Sequence, residues 1–448
     1  MNKHTAHLQA FGYEPLRMKP AHFASGFFIA LTGNVFANEL LNHVAVVKAN
    51  KGLLASYRPE AVMETLKTNG LISTTMQQAA VELLRIQVNG IVNNDDAMYP
   101  AFKPYRPKGN DYTFISPRVL TIEDRTDGYA GFFTVAVLEK TEIGRSVLEV
   151  GRVLAAEPAR TLEHFIEPLI GQEVAREKDL KTQYEARFGE LTSERLDAIA
   201  ALMHAETAAL ARMCQNAARY GHYKRVRFYI IGLLAWLMNY IVKTAAGTQA
   251  AAPLMFFDFS GSKGERTRLQ SKASYARLRE IVGQSYREFS GLGRFAPDPI
   301  AGHLFNKRNK QNQVLEDDFD FAFLETHFSD LALRMGYAQP RASRVNDKHL
   351  ELQPDTLRVL MLSVLNEDPH DALPFDDVCR RLTDVWRVVI GGNADDLPAL
   401  REQGYFGFDE EDLRANASAF VDRLKSLSLA VEPSDGLVLC STEVGSIL

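Results

Sequence analysis

The sequence FYIIGLLAWLMNYIV, residues 228–242, is apolar on every side at helical spacing. A helix of this kind lies either in the core of a large protein or in a membrane. The run has 15 residues, whereas a membrane-spanning helix needs about 20. Gly232 and Asn239 would add to the cost of burial in hydrocarbon. The sequence therefore predicts a buried core helix that anchors a domain, and no membrane insertion.

Three cations, Lys224, Arg225 and Arg227, come directly before this apolar run. The helix dipole disfavours positive charge at a helix N-terminus. Their position is therefore a reason to consider them as contacts for an anionic partner. The alternative is that they are solvated residues of a longer helix.

Length and composition set the broad class of the protein. The chain has 448 residues, of which 46% are hydrophobic and 24% charged, as in ordinary globular proteins. This length predicts roughly two to four domains. The three cysteines have no CxxC spacing, which argues against a disulfide framework or a zinc site. The N-terminus lacks the apolar segment of a secretion signal, so we expect a cytoplasmic protein with no cofactor and no metal.

Charge is unevenly distributed along the chain. The total is −5, but residues 313–448 carry −14 and residues 261–312 carry +7. Such asymmetry indicates a basic surface for an anionic partner and a separate acidic module. It also occurs in domains that bind no ligand.

Apolar spacing predicts helices over residues 37–48, 59–72, 75–92 and 193–220. Residues 99–109 form a proline-rich segment that mixes aromatic residues and cations, which suits either stacking on single-stranded nucleic acid or an ordinary surface loop. Residues 111–150 are rich in β-branched and aromatic residues. They predict an antiparallel β region with strands at 112–115, 119–123 and 132–138, closed by residues 146–150.

The most suggestive local pattern is a strand, a glycine loop and a basic helix. LMFFDF at 254–259 predicts a buried strand, SGSKGE at 260–265 a loop, and residues 266–288 an amphipathic helix. Backbone N–H groups of Gly261 and Gly264 could hold a phosphate at the helix start. Neither GxxxxGK[ST] nor GxGxxG is present, and a tight turn with solvated charges is the alternative. The predicted nucleic-acid contacts are Lys224, Arg225, Arg227, Lys263, Arg266, Arg268, Lys272 and Arg277.

The C-terminal hundred residues have a distinct plan. Helices are predicted at 354–365, 375–388, 396–403 and 409–427, followed by strands at 429–432 and 437–440. Helices followed by a two-stranded wing resemble the architecture of winged-helix domains. The last helix places Arg414, Arg423 and Lys425 beside several carboxylates, so we expect this module to dock on protein rather than to read DNA.

The expected fold is α+β and mostly helical, with several domains, a small antiparallel β region near 111–150 and a winged-helix-like C-terminal module. The predicted domains are 1–155, 156–336 and 349–448, with a linker at 337–348. No HExxH, GxSxG, paired CxxC or EF-hand pattern is present, so the catalytic residues are unknown and an enzyme is the less favoured class.

The leading hypothesis is a non-catalytic subunit that binds nucleic acid, mainly duplex DNA without sequence specificity, and binds protein partners through its acidic module. Prokaryotic DNA handling or defence against foreign DNA is a hypothesis about context. One alternative is a scaffold in which the opposite charges satisfy each other. Another is a divergent metal-dependent enzyme that uses Asp258, Lys263 and Glu265 on an anionic substrate.

Overall fold

A computed structural model gives the fold, which is mostly helical with a few small strands, as predicted for the α+β class. Twelve helices and thirteen short strands have defined bounds in the part of the chain that is described. The described residues are 12–13, 20–32, 34–35, 46–48, 52–54, 64, 67–68, 75, 78, 129–156, 174–175, 192–246, 252–261, 265–291, 306–308, 314–319, 322–340, 347–434, 436–443 and 445.

The chain forms two compact units. Unit 1 comprises Met1–Lys3, Ala201–Arg219 and Ile231–Leu448, and unit 2 comprises His4–Ala200 and Tyr220–Ile230. Residues on both sides of the predicted linker at 337–348 belong to unit 1.

Unit 2 is built mainly from helices. Its elements are α1 (Pro20–Thr32), β1 (Asn34–Val35), β2 (Val46–Lys48), β3 (Gly52–Leu54), α2 (Ala130–Leu138), α3 (Glu142–Ala156), β4 (Val174–Ala175) and most of α4 (Ser193–Leu202). Helices α1 and α2 cross closely at Gly131, where a Cβ atom would lie 2.1 Å from the backbone N of Phe27. The hydroxyl of Tyr229 donates to the carbonyl of Val147 in α3 at 2.9 Å.

The prediction of β-strands at 132–138 and 146–150 is wrong. Residues 132–138 lie in α2 and residues 146–150 lie in α3. Helix α2, AGFFTVAVL, is buried on nearly all sides, so it shows no helical alternation of polar and apolar residues. Its β-branched and aromatic composition favours strands, but burial against neighbouring helices overrides that preference.

Other expectations for the first 130 residues are tested only in part. The predicted strands at 112–115 and 119–123 and the loop at 99–109 lie outside the described residues. The helices predicted at 59–72 and 75–92 are described at five positions, all of them helical. The helix predicted at 37–48 is wrong for Val46–Lys48, which pairs antiparallel with Gly52–Leu54. Two adjacent valines there favour a strand.

The predicted core helix is confirmed and is longer than its apolar run. Helix α6 (His222–Ala246) follows α5 (His204–Ala217), and every residue from 228 to 242 is buried. Within the described chain, the segment Lys224–Ala245 has the length and hydropathy of a membrane span, and 83% of its most apolar window is buried inside the protein. The helix predicted at 193–220 is divided at Met203 into α4 and α5.

Unit 1 combines the remaining helices with short strand pairs. Its further elements are β5 (Met255–Phe256), α7 (Glu265–Gly291), β6 (Asn306–Arg308), β7 (Val314–Phe319), α8 (Ala322–Arg334), β8 (Ala338–Gln339), β9 (His349–Leu350), α9 (Pro354–Val364), β10 (Leu373–Pro374), α10 (Phe375–Trp386), β11 (Val388–Val389), α11 (Asp396–Glu402), α12 (Glu410–Ser426), β12 (Ala430–Ser434) and β13 (Leu437–Cys440). Strand β5 pairs parallel with β11, β6 pairs antiparallel with β7, and β8 pairs antiparallel with β9. Strands β10, β13 and β12 form an antiparallel sheet in that order.

The helices of the last hundred residues begin and end within two residues of the predicted bounds. Asp409 caps α12 by accepting hydrogen bonds from two first-turn amides, and Pro354 starts α9, as such residues favour. Helix α10 stops at Trp386 because Arg387 is left-handed with φ 59° and the next two residues pair with β5. The ends of the predicted linker are packed, since Tyr337 is 1% exposed and β8 pairs with β9.

Candidate functional site

Asp258 lies two residues after the end of β5, where the chain turns toward α7. Its side chain is fully buried. The Oδ1 atom accepts from the backbone N and Oγ of Ser260 at 3.1 and 2.5 Å and from Oγ1 of Thr267 at 3.1 Å. The Oδ2 atom accepts from Nε of Arg268 at 3.0 Å. The carboxylate therefore fixes the orientation of the Arg268 guanidinium.

The loop after β5 is held in place by Asn416, a buried residue of α12. Its Oδ1 accepts from the backbone N of Phe259 and Ser260 at 2.7 and 3.1 Å. Its Nδ2 donates to the carbonyls of Phe257 and Ile390, both at 2.8 Å. These four hydrogen bonds connect helix α12 to the loop and to the residues that follow β5 and β11. They hold the loop in one position.

The predicted anion loop is described only in part. Gly261 has a left-handed φ of 65° with open space where a Cβ would lie, as a tight turn requires. The amide of the preceding Ser260 is bonded to Asp258 and Asn416. Lys263 and Gly264 lie outside the described residues. The phosphate cradle at this loop stays a prediction.

Two of the predicted cations of α7 are engaged with the C-terminal part of unit 1. Arg266 is exposed and forms ion pairs with Asp409 at 3.3 Å and Asp412 at 3.4 Å. Arg277 places its guanidinium carbon 5.5 Å from the centre of the Tyr405 ring, a cation–π contact. These contacts bind the basic helix to the acidic start of α12.

The predicted cations before the core helix are found in the first turns of α6. Lys224 is exposed, and its Nζ lies 5.6 Å from the centre of the Tyr220 ring. Arg225 and Arg227 are half-buried. All three belong to unit 2, whereas α7 belongs to unit 1.

Of the predicted residues that the structure describes, Arg268 and Lys272 share one cavity. This cavity has a volume of about 560 Å³ and lies between α7, the β8–β9 pair and α12. Arg423 of α12 also lines it. Lys272 and Arg423 form no ion pair with any described residue. The other lining residues are Gln339, Pro340, Asp347, His349, Glu351, Leu352, Gln353 and Pro354.

A histidine and a carboxylate line the same cavity. Nε2 of His349 lies 3.1 Å from Oε2 of Glu351, and a terminal nitrogen of Arg268 lies 3.9 Å from the same oxygen. The hydrogen bond from His349 lowers the pKa of Glu351, and the nearby charges of Arg268 and Arg423 lower it further. Glu351 is therefore ionised at neutral pH. Because a carboxylate only accepts, the His349 Nε2 atom donates in this bond.

His349, Glu351 and Gln339 are not among the site residues that the sequence predicts, and the sequence indicates Arg423 only as a possible contact of the last helix. One signal was available. His349 and Glu351 are two residues apart at a strand, so their side chains fall on the same face. The convergence of Arg268, Lys272 and Arg423 had no local signal, because it depends on how α7 packs on α12.

No group of three or more histidine, cysteine or carboxylate side chains placed to hold a metal occurs among the described residues. Comparison with protein-family models, with curated proteins and with solved structures finds no match to this chain.

Proposed function

We propose that this protein is a non-catalytic subunit that binds nucleic acid through phosphate contacts at the cavity between α7 and α12. The observation that carries the proposal is the convergence of Arg268, Lys272 and Arg423 on that cavity, with two of them lacking an ion pair among the described residues. Lysine and arginine contacts to phosphate supply affinity without reading sequence. The buried Asp258 holds the Arg268 guanidinium in place, so its terminal nitrogens are available at the cavity.

We also propose that the C-terminal part of unit 1 is a winged-helix-like module. The order α9, β10, α10, α12, β12, β13 and the sheet order β10-β13-β12 support this architecture. The insertion of β11 and α11 between the second and third long helices departs from the simplest form. Helix α12, which would read DNA in such a module, packs against α7. This packing supports a docking role for the module.

A scaffold without nucleic-acid binding is the second candidate. One observation favours it, since Arg266 of the basic region pairs with Asp409 and Asp412 of the acidic module. Opposite charges thus satisfy each other within one chain at this place. Lys272 and Arg423 form no ion pair within the described part of the chain, and we therefore prefer the nucleic-acid proposal.

Catalysis by Asp258 is not proposed. Its carboxylate is enclosed and already accepts four hydrogen bonds from Ser260, Thr267 and Arg268. A general base needs access to the proton that it abstracts. The proposed setting, a cytoplasmic complex for DNA handling or defence with protein partners at the acidic module, rests on the charge pattern alone.

The test is binding of the full chain to labelled single- and double-stranded DNA across a salt series. We expect binding that weakens steeply with salt, and Lys272→Glu and Arg423→Glu should weaken it for every sequence tested. Each lost phosphate contact should reduce the salt slope by about one.

The matched control is Arg414→Glu. Arg414 is on the same helix as Arg423, is exposed and pairs with Glu410 at 2.9 Å, and it does not line the cavity. Equal loss of binding in this control would reject the cavity as the site. Absence of binding at low salt would favour the scaffold candidate.

A further inference from the structure

Two buried polar atoms at the cavity have no hydrogen-bond partner among the described residues. These are Nδ1 of His349 and the side-chain Nε2 of Gln339. The side chain of His349 is only 7% exposed. Buried polar atoms are almost always hydrogen-bonded, and an exception calls for an explanation such as a bound water or ion. Both residues line the space that Arg268, Lys272 and Arg423 also line.

Positively charged and neutral polar groups therefore reach the cavity from four elements. Helix α7 supplies Arg268 and Lys272, β8 supplies Gln339, β9 supplies His349, and α12 supplies Arg423. The negative groups are Glu351, which is bonded to His349, and Asp347, which is exposed. Arg268, Lys272, Arg423 and the side-chain amide of Gln339 can all donate, so a ligand that fits them is an anion with several acceptor oxygens close together.

The cavity has room for more than an inorganic ion. Its volume of about 560 Å³ is within the range of small-molecule sites. Pro340, Leu352 and Pro354 give it an apolar part, which can cover a sugar or a base. Nucleotide-sized ligands combine such an apolar body with a charged phosphate at one end.

We propose that the cavity binds the terminal phosphate monoester of a nucleotide, either at the end of a nucleic-acid strand or in a nucleotide that is not part of a strand. The strand-end form rests on the proposed function. A monoester offers three terminal oxygens to the donors of this cavity, whereas an internal phosphodiester offers two. A strand end can enter a recess that α7, β8, β9 and α12 line, whereas the backbone inside a duplex runs along a surface.

His349 offers an acceptor to the ligand. Its Nε2 atom carries the proton in the bond to Glu351, so its Nδ1 atom accepts and can take a hydrogen bond from a hydroxyl of the nucleotide. The donors to the phosphate are Arg268, Lys272, Arg423 and the side-chain amide of Gln339.

The experiment measures binding of the full chain to one single-stranded oligonucleotide in three forms, with a 5′-phosphate, a 3′-phosphate or hydroxyls at both ends. The fluorescent label is placed at the end that carries no phosphate. We expect a phosphorylated form to bind about tenfold more tightly than the hydroxyl form. Lys272→Ala and Arg423→Ala should abolish this preference, and Arg414→Ala should keep it.

A nucleoside 5′-monophosphate and inorganic phosphate, added as competitors, separate the two sources of the phosphate. If the nucleotide binds but no oligonucleotide does, the phosphate site stands and the nucleic-acid function falls. If phosphorylated and hydroxyl oligonucleotides bind equally and the nucleotide does not compete, the terminal-phosphate site is rejected while the nucleic-acid function stands. A preference that survives both Lys272→Ala and Arg423→Ala would place the phosphate elsewhere and reject this cavity.

Discussion

At the scale of single residues, Asp258 links the strand β5 to the charges of the cavity. A buried carboxylate requires compensation by hydrogen bonds and an opposite charge. Here Ser260, Thr267 and Arg268 provide both. Arg268 keeps 34% of its side chain exposed, so the buried acid orients a cation that remains accessible. Asp258 thus holds the Arg268 side chain in position at the proposed anion site.

Replacing Asp258 by Asn should lower the free energy of unfolding by roughly 1–3 kcal/mol, because charged hydrogen bonds in a buried place are lost. Asn keeps the size of the side chain, so the loss reports the charge. Urea denaturation measures it, and Asp347→Asn, at an exposed position of the same cavity, is the control. A double-mutant cycle with Arg268→Gln should give a coupling of at least about 0.5 kcal/mol. Additive effects would show that Asp258 does not position Arg268.

The lowered pKa of Glu351 predicts a pH dependence of stability. The ordinary pKa of a glutamate side chain is 4.5. The hydrogen bond from His349 is the largest cause of the lower pKa of Glu351. A carboxylate whose folded pKa is depressed contributes stability above its ordinary pKa and loses it as pH falls through the folded value. As the pH falls below 4.5, the Glu351→Gln variant should therefore lose less free energy of unfolding than the wild-type protein does.

Urea midpoints measured from pH 7 down to pH 3 test this expectation. The exposed Glu402→Gln on α11, a position with no ion pair to a described residue, is the control and should follow the wild-type profile. Parallel profiles for wild type and Glu351→Gln would mean that the carboxylate gains nothing from His349 and Arg268. The cavity would then lack the electrostatic coupling inferred from the distances.

At the scale of elements, the sequence was most informative where local chemistry marks the ends of a helix. Asp409 and Pro354 mark helix starts, and α9, α10, α11 and α12 follow the predicted bounds closely. The sequence was misleading where a helix is buried on nearly all sides, because such a helix has no alternation of polar and apolar residues. Helix α2 is of this kind, and its valines and phenylalanines favour a strand prediction. The core helix α6 was predictable because a run of 15 residues with Asn239 as its one polar side chain favours burial in a protein core.

The parallel pair of β5 and β11 shows what local sequence does not reveal. Each strand has two residues, and Val388 pairs with Met255 across more than a hundred residues of chain. Neither stretch is long enough to display the alternation by which strands are recognised. The pair nevertheless positions Asp258, which comes after β5, and the turn before α11, which comes after β11.

That turn gives an element-scale prediction. Gly391 has φ 100°, and a Cβ there would lie 2.9 Å from the carbonyl oxygen of Leu413 in α12. Gly391→Ala should cost about 1–3 kcal/mol for the backbone conformation and roughly 1–3 kcal/mol more for overpacking. Gly436→Ala is the matched control, because its φ is 78° with open space around it. Denaturation midpoints that are equal for both variants would contradict the tight contact between this turn and α12.

At the scale of the whole molecule, the charge blocks of the sequence do not coincide with structural units. The basic helix α7 and the acidic first turn of α12 belong to the same unit, and Arg266 joins them. The cavity takes residues from the predicted central domain, from the predicted linker and from the predicted C-terminal domain. Arg268, Lys272 and Arg423 can be recognised in the sequence as basic residues. Their convergence on one cavity depends on how these three segments of the chain pack together.

The three cysteines offer a test of unit 1 as a single cooperative body. Cys214 lies in α5, Cys379 in α10 and Cys440 in β13, and all three are buried. Burial raises the pKa of the Cys379 thiol, and it raises the pKa of Cys440 to about 12. Because the thiolate is the reactive form, we expect negligible alkylation of these thiols in the native protein.

Alkylation in increasing urea, followed by peptide mass spectrometry, gives an unfolding midpoint for each cysteine. If unit 1 unfolds as one body, the midpoints of Cys214, Cys379 and Cys440 coincide, as in a two-state transition. The packing of α5 against α9 and of α7 against α12 joins the three sites and gives the physical reason. Reaction of Cys379 and Cys440 at clearly lower urea than Cys214 would instead show that the C-terminal module unfolds separately. In that case the contacts of α12 with α7 would be weak enough to open, and the proposed phosphate site between them would open with the module.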